Sequence, residues 1–169
     1  MPFAARFFAI NGRTKCWAGG FFNMKIVWTL YLLIIVLPVS AQTEADEVLG
    51  SWYTASGNSR ILIYKCGQNQ YCGKVEWLKN PERDGHQKVD ARNPDESLRS
   101  RPIIGLQIMH GFTFHNSGKW ENGKVYNPQN GKTYSAKMKL HEGKLELRGY
   151  LGVSILGKTE VWTKTQPVL

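Results

Sequence analysis

The chain of 169 residues contains only three cysteines, too few for a disulfide-stapled mini-protein. No second Cys/His pair completes a zinc set, and His86, His110, His115 and His141 lack metal-ligand spacing. No metal or cofactor is therefore expected. Acidic residues are scarce, 13 against 22 Lys+Arg, for a formal net charge of +9. Residues 1–41 hold Arg6, Arg13, Lys15 and Lys25 and no acid, so 18 basic and 13 acidic groups remain in 42–169. A moderate excess with the signs interspersed is a poor footprint for nucleic acid. Long apolar runs are missing except for Ile26–Val39. Its 14 residues fall short of the roughly 20 that a membrane-spanning helix needs.

Catalytic constellations are missing too. Gly152-Val153-Ser154-Ile155-Leu156 has no glycine two residues after its serine, so it is not a nucleophile elbow. Glu76 and Glu146 fall on outward strand faces, and no two inward carboxylates pair, which leaves general acid–base chemistry without a seat. The glycines sit at strand turns rather than in a phosphate-cradling loop. The chain is expected not to be an enzyme.

The one apolar run reads as an export signal. It follows Met24-Lys25 and ends in Val39-Ser40-Ala41, small residues of the kind a signal peptidase accepts. The boundaries expected are 1–23 as a mis-called start or extended n-region, 24–41 as the signal, and 42–169 as one domain. An uncleaved signal acting as a membrane anchor is the competing reading. Export places Cys66 and Cys72 in an oxidising compartment, flanking the polar stretch Gly67–Tyr71 between two apolar runs. They are expected to form a disulfide across a hairpin; a redox pair or metal ligation competes, although the spacer is not C-x-x-C.

The rest alternates with period two. Tyr134, Ala136, Met138 and Leu140 share one face, while Ser135, Lys137, Lys139 and His141 share the other. Lys74–Trp77 and Lys144–Arg148 repeat the pattern, as antiparallel strands with one wet side do. Turns are expected at Asn122-Gly123, Asn130-Gly131 and Glu142-Gly143. Further strands are expected at Gly50–Thr54, Arg60–Cys66, Ile103–Met109, Phe112–His115, Lys119–Tyr126 and Lys158–Thr163. The fold class is all-β: an antiparallel up-and-down barrel of about eight to ten strands, because closure leaves no exposed edge. One segment interrupts it. Lys79 to Pro102 is long and polar, with a short helix expected at Pro94–Arg99, capped by Asn93 with Glu96 completing a capping box. This loop either lids a barrel mouth or plugs it with Leu98 while Arg99 and Arg101 sit in surface ion pairs.

Gly50-Ser51-Trp52 resembles the Gly-x-Trp that opens the first strand of lipocalin-type barrels, in which a basic residue on the last strand packs over that Trp; Lys164 is its candidate counterpart. Over residues 48–164 the chain resembles the bacterial exported family called domain of unknown function 2147. The matching stretches are Gly50–Thr54, Ile63–Gly67, Tyr71–Leu78, Asn93-Pro94-Asp95, Leu98–Pro102 with Gly105-Leu106, Tyr126-Asn127-Pro128, Gly131–Tyr134, and Arg148–Gly152 onward to Gly157 and Trp162. The resemblance implies a lipocalin-like barrel in the periplasm, or beyond, of a Gram-negative bacterium. It implies no activity. An eight-stranded barrel is just wide enough to be filled by side chains or to hold one small ligand. The residues expected at a cavity or its mouth are Trp52, Tyr64, Trp77, Arg99, Arg101, Trp120, Tyr134 and Tyr150. The expected role is binding of a small hydrophobic or amphipathic molecule. The alternative is an envelope protein-interaction or structural module with a filled barrel and contacts through the 79–102 loop.

Overall fold

The computed structural model describes residues 44–165. The export segment expected at 24–41, and Cys16 before it, lie outside the described residues.

Eight strands close a barrel: β1 (Gly50–Tyr53), β2 (Ser59–Gly67), β3 (Gln70–Leu78), then β6 (Gln107–Asn116), β7 (Lys119–Asn127), β8 (Lys132–His141), β9 (Lys144–Tyr150) and β10 (Lys158–Lys164). Each pairs antiparallel with the next, and β10 returns to β1, with Trp52 opposite Lys164. The short strands β4 (Glu82–Arg83) and β5 (His86–Gln87) form a separate hairpin within the connection from β3 to β6. The alternation of β8 holds as expected: Ala136 and Met138 are buried, whereas Lys137 and Lys139 are exposed.

Two expectations at turns need correction. Asn122-Gly123 is no turn; it lies inside β7, where the register against β8 shifts between Trp120 and Gly123. Asn122 takes the left-handed φ of 61°, a conformation Asn tolerates, and the strand continues as a bulge. Gly123 is required for space, because a Cβ there would stand 2.3 Å from the Phe112 ring. The hairpin into β7 is made earlier, at Ser117-Gly118 (φ 46° and 65°). Ile103–Met109 and Phe112–His115 likewise do not form two strands: from Gln107 onward they run together as β6, and Ile103 belongs to the connection.

The helix expected at Pro94–Arg99 is a single 3-10 turn, Glu96–Leu98. Asp95 caps it, its Oδ1 accepting from the Ser97 amide at 3.0 Å and hydroxyl at 2.7 Å. These bonds hold the Asp95 carboxyl below the usual carboxylate range. Asn93 is occupied one step earlier, accepting from the Asp95 amide, so no capping box forms with Glu96. Leu98 is 37 % exposed and plugs nothing.

Cys66 and Cys72 are bonded, with Cα atoms 5.8 Å apart on the outer side of the β2–β3 hairpin. Replacing both by Ser is expected to lower the unfolding free energy by roughly 2–2.5 kcal/mol, from the loop entropy the bond removes. Urea unfolding with and without reductant measures this, and an unchanged midpoint contradicts it.

Candidate functional site

The two barrel ends differ. At one end the chain enters through a helical turn at residues 44–46 that tucks Ala45 and Val48 beneath the strands. Trp52 donates its indole N–H to the Val48 carbonyl at 2.8 Å. Lys164 stands 5.3 Å from the Trp52 ring centroid and donates to the Glu47 carbonyl at 2.9 Å, the basic lid over tryptophan expected from the sequence. Tyr71 gives its hydroxyl to Asp46, which also receives Lys65. Burial, and then the hydrogen bond and charge of Asp46, push the Tyr71 pKa up to about 12. A recess of about 320 Å³ at this end is bounded by Glu47, Trp52, Leu140, Glu142, Gly143 and Lys164. Because Lys164 is anchored to backbone across Trp52, this end is sealed.

The adjoining interior is filled. Trp52, Met109, Phe112, Trp120 and Leu145 are all 0 % exposed, so no water-sized space is left beside them. Tyr71 and Phe114 pack against Trp120 with ring centroids 6.2 and 5.4 Å away. Gly73 is needed there, since a Cβ would stand 2.7 Å from the Met109 sulfur.

Toward the other end, burial falls along each inward row. On β10 it goes from buried Trp162 to half-buried Glu160, on β9 from Leu145 to Leu147 and Gly149, and on β8 from Met138 and Ala136 to half-buried Tyr134. Strand alternation puts Glu160 on the same inner face as Trp162. Its carboxylate lies 3.2 Å from Lys158 Nζ. The Tyr134 hydroxyl accepts from Asn130 at the rim. The indole N–H groups of Trp120 and Trp162 are buried and find no acceptor among the described groups. On the β8–β10 side half-buried Tyr134, Gly149 and Glu160 thus follow buried Ala136, Met138 and Trp162 on the inner face.

The β3–β6 connection covers the other side. Its arms run antiparallel through the Val89–Pro102 bridge and are latched to β7 by a buried carboxylate. Asp90 accepts from Tyr126 Oη at 2.6 Å, from Asn93 Nδ2 at 2.7 Å, and from Arg101 Nε and Nη2 at 3.0 and 2.9 Å. Burial, together with Asp90, raises the Tyr126 pKa. Arg99 donates to the Asn93 carbonyl and pairs with Glu96. Arg92 donates to the Gln129 carbonyl, and its own carbonyl packs on Gly131, where a Cβ would clash with it.

The residues singled out from the sequence are thus dispersed. Trp52 and Trp120 are interior, and Tyr134 is half-buried on the inner face of β8. Arg101 belongs to the latch rather than to a cavity or a surface pair, because Asp90 is fully buried, whereas Arg99 forms the expected surface ion pair with exposed Glu96. Tyr64, Trp77 and Tyr150 face away from the interior. Tyr64 and Tyr150 follow inward Ile63 and Gly149, and alternation turns them out. Trp77 is turned out by a bulge between Arg60 and Ile61, which sets it edge-on to Tyr53 with centroids 6.0 Å apart. Tyr64 hydrogen-bonds Gln107 on the outer surface. Glu160 and Asp90 were missed. Glu160 was legible from its two-residue step to Trp162, but Asp90 carries no sequence pattern that marks it as buried. Among the described residues no cluster of three metal-ligating side chains occurs, and no helix is long and apolar enough to cross a membrane.

This architecture is similar to a solved structure described as "Protein HP1028 from the human pathogen Helicobacter pylori belongs to the lipocalin family". The TM-score is 0.62 and the identity 22 %, over 71 % of this chain and 84 % of that one, which shows a shared fold. A search of the curated proteins found no match. The family model described as "Uncharacterized protein conserved in bacteria (DUF2147)" matches residues 50–164. With that stretch accounting for every barrel strand from Gly50 to Lys164, the chain belongs to the DUF2147 family and carries its conserved stretch on a lipocalin-like barrel.

Proposed function

We propose that this is an exported, non-enzymatic binding protein that takes a small neutral amphipathic molecule in the open mouth of its barrel. The observation that carries the reading is the loss of burial along β8–β10 from Met138, Leu145 and Trp162 to half-buried Tyr134, Gly149 and Glu160. Such a site offers apolar walls with a few polar handles, as small-molecule sites do. The donor of Trp162 favours a guest with an acceptor oxygen, since an unpaired buried N–H costs about 1–3 kcal/mol. The carboxylate of Glu160 disfavours an anionic one. The Cys66–Cys72 disulfide supports an oxidising compartment, the periplasm or beyond.

Native mass spectrometry of protein purified without detergent, and again after denaturation, tests the reading. The neutral probe N-phenyl-1-naphthylamine provides a second test. Binding of the probe is expected in the wild type and is expected to be lost in Glu160→Trp, which fills the half-buried inner rim, at an unchanged fold. A bare mass together with no probe binding overturns the reading. That result favours a second one, an interaction module with a filled barrel, which the fully buried layer around Trp52, Phe112 and Trp120 supports.

A further inference from the structure

The β9–β10 connection carries four aliphatic side chains that nothing in the described fold covers. Leu151, Val153, Ile155 and Leu156 are 59, 60, 84 and 80 % exposed, although a chain of this size ordinarily scatters its exposed aliphatics singly. The segment is held in this arrangement. Arg148 donates through Nε to the Ser154 carbonyl at 2.8 Å, through Nη2 to the Ile155 carbonyl at 2.9 Å, and through Nη1 to Thr159 Oγ1 at 2.9 Å. Gly157 lets the returning chain lie against β9, where a Cβ would stand 2.6 Å from the Gly149 carbonyl. One guanidinium thus gathers the backbone carbonyls inward while the aliphatic side chains stay in water. A loop anchored in this way forms a convex apolar tip, and a convex tip needs a partner soft enough to admit it.

Charge selects that partner. No Asp or Glu occurs from Leu147 to Thr159, while Arg148 and Lys158 lie in that stretch and Lys137 pairs beside Arg148 on β8. Tyr150 stands at the base of the tip. Aliphatic residues at the apex, with tyrosine and basic side chains behind them, are the distribution favoured where protein meets a lipid headgroup layer. The opposite barrel end shows the contrary sign, with Glu44, Asp46 and Glu47 in its entering turn. We propose that the tip Leu151–Leu156 inserts into the surface of an anionic phospholipid bilayer, with Lys137 and Arg148 as its basic collar. The mouth proposed on the β8–β10 side then lies toward the lipid. The proposal rests on the tip and its collar alone and stands whether or not the mouth holds a guest.

The test is sedimentation of the protein purified in its exported form, without the apolar run Ile26–Val39, with sucrose-loaded vesicles of phosphatidylethanolamine and phosphatidylglycerol, against vesicles of phosphatidylcholine. Wild type is expected to partition at least tenfold more strongly onto the anionic vesicles, with an affinity that falls as salt rises. The double variant Ile155→Ser/Leu156→Ser is expected to lose that partition by tenfold or more at an unchanged melting temperature and near-ultraviolet spectrum, because both side chains are exposed. A tryptophan added by Ile155→Trp is expected to give, as the difference from wild type with its native tryptophans, an emission that shifts to the blue on vesicle addition and is quenched by brominated lipid. Three results overturn the proposal: equal partition onto neutral and anionic vesicles, full retention of binding by the double variant, or self-association of wild type that the double variant abolishes. The last assigns the tip to a second copy of the chain.

Discussion

Asp90→Ala is expected to lower the unfolding free energy by about 3–5 kcal/mol, a large part of what a domain of this size possesses. The carboxylate is fully buried and serves four donor atoms, on Tyr126, Asn93 and Arg101. Removing it leaves the buried Tyr126 hydroxyl and Asn93 amide without their acceptor and the part-exposed Arg101 guanidinium without its partner, so the cost is dominated by the unpaired buried groups. The effect should begin in the β3–β6 connection, since the latch joins that segment to β7. Urea unfolding followed by tryptophan fluorescence measures the total. Limited proteolysis between residues 79 and 106 separates detachment of the connection from loss of the barrel. The paired variant Asp90→Leu/Arg101→Met should recover much of the loss, because it removes the buried charge and its partner together. A loss below about 1 kcal/mol for Asp90→Ala would mean that the carboxylate is not the latch described here.

Trp52→Ala is expected to cost a comparable amount, about 3–5 kcal/mol. The side chain is fully buried, bonds the Val48 carbonyl and lies under Lys164. Its removal opens a cavity at the sealed end and releases both the entering turn and the end of β10. Trp52→Phe retains most of the ring and loses the hydrogen bond, so its cost should be nearer 1 kcal/mol. Thermal unfolding of the two variants beside wild type checks the ranking. If Phe proved as damaging as Ala, the bond to Val48 rather than the packing would be holding this end.

Most of the architecture was legible because period-two alternation is a local signal. Tyr134–Leu140 and Lys144–Leu147 show which face is inward without reference to any other strand. The disulfide was legible for a similar reason, as two half-strands and a short turn bring Cys66 and Cys72 together. The turns were less secure. An Asn-Gly pair serves a hairpin or a bulge equally well, and at Asn122-Gly123 the choice was made by the Phe112 ring arriving from β6. In the same way Trp77 is turned outward by a bulge that depends on its pairing with β2.

The candidate site was less legible than the fold. Aromatic content pointed to a barrel interior, yet the same residue types fill a core, line a mouth or cover an outer face. Of the residues singled out, only Tyr134 is half-buried on the inner face beyond the filled layer. Arg99 and Arg101 were marked as charges in a loop; that Arg101 belongs to a buried latch follows from Asp90, Asn93 and Tyr126 meeting across 36 residues of chain. The sequence by itself determined the strand faces of β8 and β9 and the disulfide, because each depends on neighbours along the chain; the basic lid of Lys164 over Trp52 was expected only from the resemblance to lipocalin-type barrels. Tertiary structure alone decided which inward positions are fully packed, which stay half-buried, and that the Leu151–Leu156 tip stands in water. Those outcomes depend on which side chains from distant strands compete for the same interior volume, and alternation along one strand carries no record of that competition.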